Sequence, residues 1–358
     1  TGVQTCALRS IRETAREMAN ASPSVIIHPG RHVTWYGDDT QRLRAVAILN
    51  GLLGSWGKRG GFYSPDKVNI PDFPHPPYPK SEHSWKDAVS GQFNLANEVV
   101  SNVLCEATIP SPDRDWNIKG WIVNGTNLVH TLPDQSITMR AIEALELLVV
   151  IDTMPMEITG YADVVLPECT YLERYDSIRN SPHREPVISL RMPAVKPKYN
   201  SKPDWWIAQQ LGFELGLEKF FAFKDIEEVL DWQLKQIGSS LVEMQKLGVK
   251  KFARQFNDLY IADGQDYTFN TNTGKIELYS SELANAGFDP LPVYTEHPQP
   301  QPGYYRLNYG RAPAHTFSRT TNNPNLADIM SENELWVNPK VAKLWALENG
   351  PSVWLRKQ

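Results

Sequence analysis

The sequence of 358 residues contains only three cysteines, Cys6, Cys105 and Cys169. They stand far apart and form no C-x-x-C pair, so they lack the spacing of a zinc site or of a local iron–sulfur cluster. We therefore expect ordinary buried or half-buried thiols at all three positions.

Long apolar runs are missing as well. No stretch reaches the roughly 18 apolar residues that a membrane-spanning helix needs, and the first residues show no basic, apolar, small-residue signal pattern. Neither a direct membrane span nor a targeting peptide is predicted for this chain. The formal net charge of −5 argues against a nucleic-acid partner, although local arginines could still bind a pyrophosphate.

The composition is that of a folded globular protein, with 41% apolar and 22% charged residues. The length allows more than one hydrophobic core, so two or three domains are expected. Dense prolines between residues 65 and 79, and again between 290 and 302, predict extended connections because proline interrupts helices and central strands. Apolar spacing predicts a short buried strand at 25–27 and helices over 40–53, 203–217 and 226–247.

The most informative pattern lies in residues 120–173. Apolar residues 121–123 run into a polar segment, a helix is predicted over 133–145, and the apolar run 147–151 is typical of a buried parallel strand that ends at Asp152. Nucleotides bind at the carboxyl ends of parallel strands, so this unit predicts a nucleotide-binding sheet without the usual glycine-rich fingerprint. Ordinary turn chemistry would explain the same polar residues.

Several short motifs occur one after another along the chain. The segment YADVVLP at 161–167 precedes Thr170 and Glu173, and it follows a loop that contains Glu157 and Thr159. The other motifs are GRHVTWYGDD (30–39), TQR (40–42), GSWGKRGG (54–61), GKIELY (274–279) and HTFSRTTNNP (315–324). Together they resemble the molybdopterin oxidoreductase family, and GRHVTWYGDD and HTFSRTTNNP are most similar to its thiosulfate and polysulfide reductase branch.

The resemblance implies an α/β fold of mostly parallel, doubly wound sheets that bind a dinucleotide cofactor, followed by an incomplete β-barrel-like C-terminal domain. Family members also carry an N-terminal cysteine cluster and a metal-ligating side chain, which this sequence lacks, so we expect the middle and later part of a larger subunit. The expected blocks are 1–64 (α/β, cofactor and substrate funnel), 65–115 (proline-rich connection and helix), 116–185 (α/β, guanine dinucleotide), 186–300 (helical connection and linker) and 301–358 (start of the barrel).

The resemblance also implies functional residues. Arg31 and His32 would approach the metal centre, guide an anionic sulfur substrate and manage protons. The residues expected to contact cofactor are Thr40, Gln41, Arg42, Asn124, Gly125, Thr126, Asn127, Asp152, Asp163, Arg311, His315, Thr316, Ser318 and Arg319.

Plainer explanations of these residues stay open. Asp38 or Asp39 followed by Thr40 is also a helix N-cap, and Arg31 could pair with one of those carboxylates. The segment 315–319 could be a polar turn, and Asp163 could cap a loop at a strand end.

The implied cofactor is molybdenum bis(molybdopterin guanine dinucleotide), with a [4Fe-4S] cluster in a preceding segment. The implied function is that of a catalytic subunit that acts on thiosulfate, polysulfide, tetrathionate or sulfite. The implied partners are an iron–sulfur electron-transfer subunit and a membrane anchor, which would place the complex on the periplasmic or cytoplasmic face of a bacterial membrane.

Two other functions stay open from the sequence. A noncatalytic scaffold or nucleotide-binding subunit could keep the fold after losing the cluster and the metal ligand. A relative of formate or nitrate reductases would share the same family motifs.

Overall fold

The computed structural model describes residues 8–30, 39–78, 103–254, 259–310, 312–316, 320–350, 352–353 and 355. Its first elements are two α-helices, α1 (Leu8–Ala21) and α2 (Asp39–Leu52). The second helix confirms the one predicted over 40–53. Residues 67–78 form neither helix nor strand, which confirms the predicted extended connection.

The strand predicted at residues 25–27 is wrong. Ile26 is 49% exposed, and the segment forms no strand. The reason is that buried Asn50 of α2 bonds the backbone of Ile27: its Oδ1 accepts from Ile27 N and its Nδ2 donates to Ile27 O, each over 2.9 Å. A side chain thus satisfies the backbone groups that a neighbouring strand would otherwise pair.

A parallel three-stranded sheet lies at the centre of the described residues, with the strand order β1–β2–β3. Its strands are β1 (Gly120–Asn124), β2 (Leu147–Asp152) and β3 (Val164–Pro167). The helices α4 (Leu128–Thr131) and α5 (Gln135–Glu143) connect β1 to β2, and a 3₁₀ helix, Glu157–Tyr161, connects β2 to β3. The predicted strand, helix, strand unit is therefore confirmed.

Both faces of β2, the central strand of this sheet, are covered. On one face Leu148 and Val150 belong to a core that includes Ala141 of α5 and Cys105 of α3 (Val103–Thr108). On the other face Val149 and Ile151 pack with Ile207 of α6 (Asp204–Glu214). Burial on two sides explains why residues 148–151 are continuously apolar rather than alternating.

A second sheet is antiparallel and was not expected from the sequence. Its order is β4–β5–β6, formed by β4 (Arg179–Ser181), β5 (Val187–Ser189) and β6 (Val249–Lys251). It packs with α7 (Ile226–Gln236) and α8 (Leu241–Leu247) around the buried side chains of Ile188, Leu234 and Met244. The helix predicted over 226–247 is therefore two helices, which separate where Gly238 takes a φ of 70°.

The later segments hold three short helices among the described residues: α9 (Ser281–Asn285), α10 (Pro324–Ala327) and α11 (Pro339–Leu344). The linker that follows α9 lies against α2, because Arg44 donates to Pro290 O over 2.7 Å. No strand occurs in the described residues after 251, so the predicted barrel strands are not confirmed. None of the helices in the described ranges is both long and apolar enough to cross a membrane.

The loop after β3 is held by a buried glutamate. Glu173 Oε2 accepts from Thr170 N over 2.8 Å and from Thr170 Oγ1 over 2.9 Å, and Oε1 accepts from Lys198 N over 2.9 Å. The backbone N–H of Thr170, with that of Lys198, lowers the pKa of the Glu173 carboxyl. One ionised side chain therefore joins two separate loops.

This arrangement predicts an acid-sensitive part of the stability. Because the folded-state pKa of Glu173 is below the unfolded value of about 4.3, its contribution is complete above that pH and is lost as the pH falls through the folded-state pKa. Glu173→Gln should lower the free energy of unfolding at pH 7 and flatten its decline between pH 5 and 3. Urea unfolding at several pH values measures both effects.

Glu214→Gln removes one negative charge from an exposed position at the end of α6 and serves as the control. An equally steep acid decline in wild type and Glu173→Gln would contradict the assignment.

Candidate functional site

The carboxyl ends of β1 and β2 lie side by side, because Asn124 is the register partner of Ile151. Gly125 follows β1 with a φ of 64°, a conformation that favours glycine, and its N–H donates to Ile151 O over 3.0 Å. This turn directs the chain through Thr126 to Asn127, which precedes α4. The structure thereby brings together the predicted residues of both strand ends.

Asn127 is buried, with only 1% of its surface exposed. Its Nδ2 donates to Glu157 Oε2 over 2.5 Å, whereas its Oδ1 is buried and has no hydrogen-bond donor within the described structure. Glu157 also lies 3.3 Å from His130, measured from Oε1 to Nε2. The backbone N–H of Glu157 itself lowers the pKa of its carboxyl, and Asn127 and His130 act in the same direction.

Asp152, at the end of β2, also carries a buried oxygen without a hydrogen-bond donor in the part of the chain that the structure describes. Its Oδ1 accepts from Thr153 N over 2.7 Å and from Met154 N over 3.4 Å. Its Oδ2 is buried and accepts no hydrogen bond from the described residues. Since buried polar atoms are nearly always hydrogen-bonded, this edge presents two acceptors that suit a ligand with N–H or O–H donors.

A cavity of about 260 Å³ opens beside these strand ends. Its lining includes Asn124 at the end of β1, and the remaining residues are Tyr175, Asp176, Ser177, Asp204, Trp205, Ala208 and Ile226. The lining is therefore rich in carboxylates and hydroxyls and carries two aromatic rings.

The carboxylates of this cavity are held by arginines. Arg174 lies 3.1 Å from Asp176 and 3.2 Å from Asp204, and it also pairs with buried Glu168. Arg191 pairs with Asp176. Because these cations are already engaged, the cavity offers mainly acceptor atoms to a ligand, and it suits a donor-rich polar group better than an anion.

Apart from Asn124, sequence reasoning missed the residues of this cavity. Asp176 follows β3 in a loop, and Asp204 is the first residue of α6, where an acidic residue is ordinary helix-terminal chemistry. No local spacing connects them with Asp152, since only the packing of α6 on the sheet brings them to the same edge.

Asp163 lies away from this edge. It directly precedes β3, and its Oδ2 accepts from Leu148 N near the amino end of β2 over 2.7 Å. The structure therefore does not group Asp163 with Asn127 and Asp152, and a cofactor contact by this residue stays a prediction.

The first turn of α2 carries Thr40, Gln41 and Arg42. Gln41 Nε2 donates to Asp289 O of the linker over 2.7 Å. Arg42 lies 3.9 Å from Asp39 and 3.5 Å from His297. These side chains contact the linker in this structure, and Thr40 is exposed.

The predicted turn at 315–324 is partly described. His315 Nε2 donates to Met330 O over 2.7 Å, and Thr316 N donates to Thr320 Oγ1 over 2.8 Å. Asn322 Nδ2 donates to Pro155 O over 2.6 Å, which places this turn beside the loop that follows Asp152. The predicted residues Arg31, His32, Arg311, Ser318 and Arg319 lie outside the described residues.

Two further observations concern metal and thiol chemistry. In the described ranges no group of three or more His, Cys, Asp or Glu side chains is arranged to hold a metal ion. Cys105 and Cys169 are buried free thiols, as predicted, and burial raises the pKa of each. Cys6 lies outside the described residues.

The sequence matches one protein family over residues 10–213, which is described as molybdopterin oxidoreductase. Among individual relatives, the thiosulfate reductase molybdopterin-containing subunit PhsA of Salmonella typhimurium is 28% identical over 96% of this chain and 50% of its own length. The dimethyl sulfoxide reductase DmsA of Escherichia coli is 26% identical over 96% of this chain and 46% of its own length. The chain thus spans about half the length of these relatives.

The fold is similar to that of a solved structure, the acetylene hydratase of Pelobacter acetylenicus. The TM-score is 0.75 at 20% sequence identity, and the match covers 96% of this chain and 52% of the hydratase. This likeness confirms the mixed α/β fold with its parallel sheet.

Proposed function

The chain belongs to the molybdopterin oxidoreductase family, and on this premise we propose that the carboxyl edge of its parallel sheet binds the guanine dinucleotide end of a molybdopterin cofactor. The observation that carries the proposal is the pair of buried acceptors, Asn127 Oδ1 and Asp152 Oδ2. Guanosine supplies the matching donors, which are the ribose hydroxyls and the N–H groups of the base. The residues present therefore fit the group that the family name implies.

Each part of the edge has a role in this proposal. Asp152 and Asn127 accept hydrogen bonds from the nucleoside, and the tight turn at Gly125 lets the backbone approach it closely. Asp176 and Asp204 line the adjacent cavity and suit the donor edge of guanine, while Trp205 offers a ring face to a planar base. Arg174 pairs with both carboxylates and orients them.

The relatives support a proposal for the wider function. We assign the protein to the catalytic subunit of a molybdenum oxidoreductase that acts on inorganic sulfur compounds, which is supported by 28% identity to a thiosulfate reductase subunit over 96% of this chain. The bis(molybdopterin guanine dinucleotide) centre would supply the redox chemistry, and a [4Fe-4S] cluster would carry the electrons. This chain would orient the cofactor and shape the access route to it.

Several residues have proposed roles that rest on the family pattern. Arg31 and His32 would guide the anionic sulfur substrate and manage protons. The other proposed cofactor contacts are Thr40, Gln41, Arg42, Thr126, Asp163, Arg311, His315, Thr316, Ser318 and Arg319. The hydrogen bond from Asn322 to Pro155 supports the segment around His315, because it brings that turn close to the nucleotide edge.

The proposed assembly contains an iron–sulfur subunit and a membrane anchor. It is supported by the description of one relative as the molybdopterin-containing subunit of its enzyme. Such an assembly would lie at the face of a bacterial membrane.

The nucleotide part of the proposal predicts that GMP binds to this chain and that Asp152→Asn weakens binding about tenfold or more. In that variant an amide N–H₂ can replace the acceptor Oδ2 and face the donors of the nucleoside, so a charge-assisted hydrogen bond is lost. Isothermal titration calorimetry gives both dissociation constants.

Asp115→Asn is the matched control, because Asp115 is exposed on the segment that leads to the amino end of β1. Equal GMP affinity of wild type and Asp152→Asn would contradict the placement of the nucleotide.

The redox part of the proposal predicts molybdenum and pterin together in the native protein. Elemental mass spectrometry measures the metal, and fluorescence measures the pterin after oxidation. Finding neither in an intact preparation from cells that load other molybdenum enzymes would contradict an oxidoreductase and favour a noncatalytic scaffold.

A further inference from the structure

Three polar side chains form a chain of contacts behind the nucleotide edge. Asn127 Nδ2 donates to Glu157 Oε2 over 2.5 Å, and Glu157 Oε1 lies 3.3 Å from His130 Nε2. Asn127 is buried, whereas the side chains of Glu157 and His130 are about half exposed, at 52% and 49%. This series of contacts thus runs from the solvent to the buried amide of Asn127.

The chemistry of the carboxylate determines which way this amide faces. An amide side chain can present either its oxygen or its nitrogen, and the two are nearly equal in shape. An ionised carboxylate only accepts hydrogen bonds, so the atom of Asn127 beside Glu157 is Nδ2. The oxygen is therefore turned away from Glu157, and it is this Oδ1 that has no donor within the described structure.

We propose that Glu157 is a positioning residue, which holds the amide of Asn127 so that Oδ1 accepts a hydrogen bond from the bound nucleotide, and that His130 supports Glu157. This inference rests on the proposed function. It adds to that function a residue whose side chain bonds Asn127 and need not touch the ligand, and it explains why a half-exposed glutamate follows the strand end.

A purely structural role for Glu157 would have a different signature. Glu157 belongs to the 3₁₀ helix and bonds a residue that precedes α4, so it could simply fasten these two segments. Loss of a contact that only joins the two segments lowers the free energy of unfolding and leaves the GMP affinity of the folded protein unchanged. Loss of a positioning residue weakens nucleotide binding only while Asn127 is there to be positioned.

The test compares Glu157→Met with Glu157→Gln in the full chain and measures GMP dissociation constants by isothermal titration calorimetry. Methionine has a similar length but no comparable acceptor, so Glu157→Met should weaken binding about tenfold. Glutamine can still accept from Asn127 Nδ2 through Oε1, so Glu157→Gln should stay within about threefold of wild type. Glu143→Met makes the same substitution at an exposed position of α5 and should leave GMP binding unchanged.

A double-mutant cycle with Asn127→Ala tests whether Glu157 acts on GMP binding through Asn127. If Glu157 acts through Asn127, adding Glu157→Met to Asn127→Ala should weaken GMP binding no further. Fully additive losses would overturn the inference. Thermal unfolding of each variant shows whether it is folded. If Asn127→Ala does not fold, the comparison of Glu157→Met with Glu157→Gln tests the positioning role of Glu157.

The possible failures are distinct. If the wild-type chain does not bind GMP, both the proposed nucleotide site and this inference are overturned. If wild type binds GMP, Asp152→Asn binds it weakly and Glu157→Met binds it as tightly as wild type, the nucleotide site stands and Glu157 has no positioning role. Equal weakening by Glu157→Met and Glu157→Gln would likewise overturn the inference.

Discussion

The parallel pairing of β1 with β2 is the constraint on which the rest of the site depends. In this register Asn124 lies beside Ile151, so the two strands end together and their following residues share one edge. An antiparallel pairing would send the segment around Asn127 and the segment around Asp152 to opposite ends of the sheet. Parallel strands also need helical connections, and those connections bring Glu157 and His130 behind the same edge.

Burial gives this edge its chemical character. Water would satisfy the free oxygens of Asn127 and Asp152 at an exposed strand end, but both atoms are buried. The nearby arginines do not make the edge a site for anions, because Arg174 and Arg191 are paired with the acidic residues of the cavity. The site as a whole therefore favours a ligand that donates hydrogen bonds, such as the proposed nucleoside.

The sequence was most informative where residues close together in the chain determine the structure. The apolar run at 147–151 followed by Asp152 predicted a buried parallel strand with a polar end, and both are present. The strand predicted at 25–27 failed because Asn50, distant in sequence, bonds Ile27 through its side chain. Strands β4 to β6 have three residues each, too few for alternation to be visible. The last of them, β6, pairs with β5 from a distant segment of the chain.

The acidic cavity shows that predicting functional residues from the sequence has the same limit. Asn127 and Asp152 could be proposed from the sequence because each lies at or shortly after the end of a recognisable strand. Asp176 and Asp204 could not, because their grouping requires α6 to pack on Val149 and Ile151. The roles of Glu157 and His130 depend on hydrogen-bond direction, which only a three-dimensional arrangement of donors and acceptors reveals.

The most direct test of the central claim is a crystal structure of the chain with GMP. Ribose or base donors are expected within about 3.2 Å of Asp152 Oδ2 and Asn127 Oδ1, at the carboxyl ends of β1 and β2. A nucleotide bound elsewhere, for example beside Asp163 at the amino edge, with Asp152 Oδ2 still unbonded, would contradict the account.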